Sequence, residues 1–263
     1  MEILSSRNTA DYKKWIRIWN NWEGKEVFAH PDYLNLYSDS SEAMCAVVNR
    51  GDVTMIFPFC LREICNSGLV NKETYYDVIT PYGYGDIYQL GKGDFSSIKT
   101  EFHILFRQWA LSKNVVSEFV RFDLFSEALD GYPGVVEFNN DNIVCDLTKG
   151  KINIWNDFKH KVRTNVRTAR SKELKIDIDN NGNRLDEFLN VYYGTMDRRN
   201  ANSRYYFKRK YFEKIHDKLK GRFVYFFATH CGKTVSSDLV FVSDEKIFSF
   251  LSGTDCDAFH RSA

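Results

Sequence analysis

The chain has almost no net charge: across 263 residues, 36 Lys and Arg against 35 Asp and Glu leave +1. That balance excludes a generally polycationic nucleic-acid binder and makes every basic stretch a local feature, so an anion site must be a patch. No apolar run is long enough to cross a bilayer, and the N-terminal MEILSSRNTADYKKW has no basic segment followed by an apolar one. A soluble, unexported, cytoplasmic protein is expected. Cysteines are few and unpaired in pattern: Cys45, Cys60, Cys65, Cys145, Cys231 and Cys256 form no CxxC and lie mostly inside apolar runs, as reduced core thiols do.

Familiar catalytic signatures are missing as well. No serine stands in a nucleophile-elbow setting and the six histidines are isolated, which excludes Ser-His-Asp and Cys-His chemistry. No His, Cys and Asp cluster has ligand spacing, so no metal is expected. Gly83 and Gly85 lack the third glycine and the helix start of a dinucleotide fingerprint. No tightly bound cofactor is expected.

What is present is an aromatic content of 16%, enough for a substantial core, and one sharply patterned stretch from Ile154 to Lys175. Its apolar residues Ile154, Trp155, Phe158, Val162, Val166 and Ala169 recur at spacings of three and four, which predicts one helix with a buried stripe. Lys159, Arg163, Arg167 and Arg170 recur at the same spacing beside it, with acids only near the ends at Asp157 and Glu173. Arginine forks in a row suit phosphates or carboxylates; a solvated helix face has the same pattern.

The rest predicts alternating elements. A helix spans Ala10 to Trp22, with a short one after Pro31. Strands cover Ala43 to Asn49 and Val53 to Ile64 around an Arg50-Gly-Asp52 turn, and Tyr75 to Ile79. After the glycine loop Thr80 to Asp86, a helix runs from Phe95 to Leu111. Strands follow at Phe119 to Leu124, Val135 to Phe138 and Ile143 to Leu147. Beyond the basic helix come a strand at Leu174 to Ile178, helices at Leu185 to Met196 and Tyr206 to Leu219, a hairpin over Phe223 to Val242, and a strand at Ile247 to Leu251. Both halves thus repeat two helices, a hairpin and a third strand, which suggests an internal duplication with a boundary near Thr148 to Lys151.

Three further groups are candidates for chemistry. Tyr82 and Tyr84 in the glycine loop can stack on and hydrogen-bond a sugar or peptide, or simply pack. Arg198, Arg199, Arg204, Lys208, Arg209 and Lys210 enclose Tyr205, Tyr206 and Phe207, a mixture that binds single-stranded nucleic acid or caps a solvated helix. Asp238 interrupts an apolar strand, as a general acid or base or as a structurally satisfied carboxylate.

The stretches Thr80-Pro-Tyr-Gly-Tyr-Gly85, Lys161-Val-Arg163 to Arg170, Tyr193 to Arg199, Tyr205 to Phe207 and Leu251 to Asp255 together resemble the Fem-type aminoacyltransferases and related acetyltransferase-like proteins of the GCN5-related N-acetyltransferase (GNAT) superfamily. The resemblance implies an α+β fold of tandem GNAT-like domains, 1–149 and 150–263, with mostly antiparallel sheets flanked by helices and a basic connecting helix at 154–173. It implies a second domain cut short at the C-terminus, because the chain stops at AFHRSA without a closing element. It also implies a bacterial transferase moving an acyl or aminoacyl group onto a primary amine of a peptidoglycan or nucleotide-sugar precursor. Acyl-CoA and aminoacyl-tRNA are the rival donors. Lys161, Arg163, Arg167, Arg170, Tyr82, Tyr84 and Tyr206 would bind the anionic nucleotide- or lipid-linked substrate, Arg204 and Arg209 the donor, and Asp238 would be catalytic. An acyl-CoA-dependent N-acetyltransferase of small amines and a non-catalytic binder of RNA or anionic glycan stand as alternatives.

Overall fold

The structure is a computed structural model that describes residues 1–64 and 73–255. Cys65, Cys256 and the AFHRSA end, on which expectations were placed, lie outside the described residues. The chain divides into two compact units, Met1–Phe138 with Ser243–Lys246, and Asn139–Val242 with Ile247–Ala263. The architecture is mixed α+β, one sheet per unit, flanked by helices.

In the first unit β1 (Glu2–Ser5) leads to α1 (Thr9–Asn20), whose N-cap Asn8 accepts from the Ala10 and Asp11 amides. A short α2 (Pro31–Leu34) starts on its proline. Then β2 (Glu42–Arg50) and β3 (Val53–Ile64) pair antiparallel through the two-residue turn Gly51-Asp52, followed by β4 (Tyr75–Ile79) and β5 (Tyr88–Gly91). Helix α3 (Ser96–Ser112) and β6 (Val115–Phe119) complete it. The order is β1-β2-β3-β4-β6, with β5 on β3 and β6 parallel to β4. Phe102 and Phe106 of α3 pack on Phe57 and Phe59 of β3, fully buried or nearly so. This aromatic burial fixes the sheet's inner face.

The second unit opens with α4 (Gly150–Asp157) and α5 (His160–Ser171) and continues through β7 (Lys175–Asp179), α6 (Leu185–Arg198) and α7 (Arg209–Lys218). Strands β8 (Phe223–His230), β9 (Lys233–Val242) and β10 (Ile247–Thr254) follow, in an antiparallel sheet ordered β10-β9-β8-β7. One face buries Tyr225, Phe227, Leu239 and Phe241, with Phe188 and Tyr192 of α6 and Phe212 of α7 in the same core. At Gly253 a Cβ would lie 2.5 Å from the Val191 carbonyl carbon, so only glycine lets β10 approach α6 this closely. Each unit runs strand, two helices, hairpin, third strand.

Several expected elements take another form. The stretches at 135–138 and 143–147 are not strands; Val135, Phe138 and Ile143 stand exposed, with no ladder partner to satisfy an extended backbone. The strand expected from Phe119 lies earlier, as β6. The basic helix is two helices, because Phe158 and Lys159 adopt extended angles. Its apolar stripe is not buried: no residue of α4 or α5 is. Periodicity reports which residues share a face, and a face needs a partner to be covered.

Candidate functional site

Asp238 lies at the middle of β9, on the sheet face of the second unit opposite the helical core. Register places Phe226 of β8 and Ile178 of β7 beside it on one side and Ser252 of β10 on the other. Ile176 and Ile178 are 64% and 62% exposed, so this face is apolar yet open. Partial burial pushes the Asp238 carboxyl up to about 6, and a hydrogen bond donated by Ser249 Oγ at 3.1 Å opposes the shift. A carboxylate poised close to neutrality on an accessible surface can take a proton from an attacking hydroxyl or amine. Asp238 thus sets an ionisable group on an open apolar face.

Lys161, Arg167 and Arg170 are exposed, while Arg163 is half-buried because its Nη1 donates to the Asn156 carbonyl at 2.8 Å and to the Phe158 carbonyl at 2.5 Å. Arg163 thus fastens the last turn of α4 across the break. Arg167 and Arg170 both stand 5.7 Å from the centre of the Trp155 ring, close enough for cation–π attraction. Ile152 and Val162, at 77% and 42% exposed, add apolar surface to the same arm.

The other sequence candidates are more engaged. Tyr206 donates to Asp197 at 2.8 Å and stacks on Tyr193. Arg209 pairs with Asp186 and, at 3.8 Å, with Glu213; Arg204 donates to the Tyr205 hydroxyl at 3.0 Å. In the first unit the Tyr82 carbonyl accepts from Tyr33 and Tyr37, Arg121 lies over its ring, and Tyr84 packs edge-on against Phe28.

One cluster has no signature in the sequence. Glu26, Asp86 and Asp123 of the first unit are 2–4% exposed and gather round Lys246, in the turn after β9 that belongs to this unit. Lys246 Nζ pairs with Glu26 at 2.8 Å and with Asp123 at 3.2 Å. Burial pushes the Asp86 carboxyl up to about 7, against hydrogen bonds from Ser126 Oγ at 2.8 Å and the Ile87 amide at 2.7 Å. Burial also raises Glu26. Among the described residues no group of three or more His, Cys, Asp or Glu is disposed to hold a metal ion.

No protein-family model matches the chain, and no curated protein does either. Among solved structures, it is similar to the C-terminal domain (DUF2156) of a candidate lysylphosphatidylglycerol synthetase from Agrobacterium fabrum. The match has a TM-score of 0.54 at 12% identity and covers 96% of this chain and 71% of that one. The likeness is one of fold. It corrects the expected membership of the Fem-type and GNAT families, for which no family model gives support. The motifs behind that expectation are short, and the order of elements they punctuate is shared by a domain of another description.

Proposed function

We propose that this chain is an aminoacyl transferase whose acceptor is an anionic lipid. The observation that carries the reading is the α4–α5 arm, where Lys161, Arg163, Arg167 and Arg170 stand beside the exposed apolar side chains of Ile152 and Val162. Cations with adjacent apolar surface suit a charged headgroup joined to hydrocarbon better than a freely soluble anion, since both parts of the ligand find a counterpart. The neighbouring fold belongs to a candidate lysylphosphatidylglycerol synthetase, named for an aminoacylated phospholipid, which supports a phospholipid acceptor. A peptidoglycan or nucleotide-sugar acceptor has no such support.

The chemistry follows from Asp238. Its carboxylate takes the proton of an acceptor hydroxyl or amine as that group attacks the carbonyl carbon of an activated aminoacyl ester. A bond forms to the acceptor, the ester C–O bond breaks, and the departing oxygen leaves with a proton. Charged tRNA is the donor that fits the aminoacyl reading. The deciding experiment follows a radiolabelled aminoacyl group from charged tRNA into phosphatidylglycerol vesicles. Labelled lipid should form with the wild-type chain and not with Asp238→Asn. Vesicle binding without any labelled lipid would return the protein to a non-catalytic role.

A further inference from the structure

The first unit contains a cleft of about 280 Å³ that no part of the transferase reading uses. Trp22, Glu26, Asp86, Tyr88, Asp123 and Phe125 line it, with Lys246 at its wall. We propose that this cleft binds a primary ammonium group carried on a short hydrocarbon stem. The inference is independent of the transferase reading, because no residue of the second unit enters it.

Three oxygens carry the argument. Glu26 Oε2, Asp123 Oδ2 and Tyr88 Oη are buried with no hydrogen-bond partner, although each residue lines the cleft. Lys246 engages the other oxygen of each acid, Glu26 Oε1 and Asp123 Oδ1, so one resident cation serves three carboxyl groups. Leaving a buried carboxylate oxygen without a donor is unfavourable, and a native structure that does so retains an unmet demand. A primary ammonium brings three N–H donors and no acceptor, which matches three oxygens all able to accept. Tyr88 lies outside the group of acids, yet its hydroxyl has the same unmet need.

The walls choose the kind of cation. The Trp22 and Tyr88 rings lie 5.1 Å apart, and the Phe125 ring already faces Lys246 Nζ at 5.4 Å. Aromatic faces attract organic cations and cover methylene groups, whereas they offer a divalent metal no ligand oxygen. The volume falls just below the range typical of drug-sized ligands, which suits a small alkylamine or an amine-bearing side chain. Three carboxyl groups rule out an anion.

Titration calorimetry of the full chain with n-butylammonium chloride, at fixed ionic strength, tests the proposal. Saturable one-to-one binding below about 10 mM is expected, with none for n-butanol and none for Mg²⁺. Asp123→Asn should weaken butylammonium binding by about tenfold, and Phe125→Ala by about threefold. Equal binding of butanol would make the cleft an apolar groove, and tighter binding of Mg²⁺ would make it a metal site; either overturns the proposal. So would absence of saturation, or an unchanged affinity in Asp123→Asn. Should Asp123→Asn lose its circular dichroism signal, Phe125→Ala decides by the same comparison, since that side chain is 55% exposed and its removal leaves the core intact.

Discussion

Ser249 Oγ donates to Asp238 Oδ1 across the β9–β10 ladder, and this 3.1 Å bond restrains a carboxyl group that burial would push still higher. Removing it has a definite sign. In Ser249→Ala the Asp238 carboxyl rises above about 6, so the acid limb of a pH–rate profile for aminoacyl transfer moves to higher pH. Asp238→Asn lowers turnover by roughly 10²- to 10⁴-fold and flattens that limb. Transfer rates measured between pH 5 and 8 for the three proteins check both statements.

Asp86 makes stability depend on pH in the opposite sense to a salt-bridged acid. Its folded carboxyl titrates at about 7, above the range of an unfolded aspartate, so the folded chain holds the proton more tightly. The stabilising contribution is complete below about pH 4, where both states are protonated and the comparison is neutral to further acid, and it is lost as pH rises through about 7. Asp86→Asn keeps an oxygen for Ser126 and Ile87 but cannot ionise. Its melting temperature relative to wild type should therefore be higher at pH 8 than at pH 5, as measured by thermal denaturation at the two values.

The two roles of the α5 cations can be separated. Lys161 and Arg167 are exposed, and at about 1 kcal/mol for each cation near an anionic membrane surface their joint change to alanine weakens binding to phosphatidylglycerol vesicles roughly thirtyfold. Binding to neutral phosphatidylcholine vesicles stays the same. Arg163→Ala should, in addition, fray α4, because the Asn156 and Phe158 carbonyls lose their donor. Amide hydrogen exchange across residues 150–158 reads that loss, which Lys161→Ala by itself leaves untouched.

Gly253 leaves no room for a side chain. A Cβ there meets the carbonyl carbon and oxygen of Val191 at 2.5 Å, and both are main-chain atoms that cannot rotate away. Gly253→Ala should cost about 1–3 kcal/mol or more, in line with overpacking elsewhere, and appear as a lower urea midpoint with an unchanged slope.

Strands and helices with a partner face were readable from the chain. Val53–Ile64 and Tyr75–Ile79 have the same limits in sequence and structure, because turn residues bound them and both faces are packed or paired. Residues 135–147 failed for the converse reason: Val135, Phe138 and Ile143 are apolar enough for strands, yet no neighbouring strand pairs with them. The break at Phe158–Lys159 was hidden because neither residue opposes a helix by itself. Asp238 was legible as a carboxylate set among apolar residues. The acidic cleft was not, since Glu26, Asp86, Asp123 and Lys246 come from four distant stretches, each ordinary alone.

The loan of Ser243–Lys246 to the first unit bears on how the chain is made. During synthesis, residues 1–138 emerge before the lysine that neutralises Glu26 and Asp123, which is delivered about a hundred codons later. Until then those acids must stay hydrated or protonated, because sealing them without a counter-charge is prohibitive. The N-terminal half therefore completes this cluster only after most of the C-terminal half has left the ribosome, and a gene cut after codon 138 yields a piece that must keep these acids hydrated or protonated.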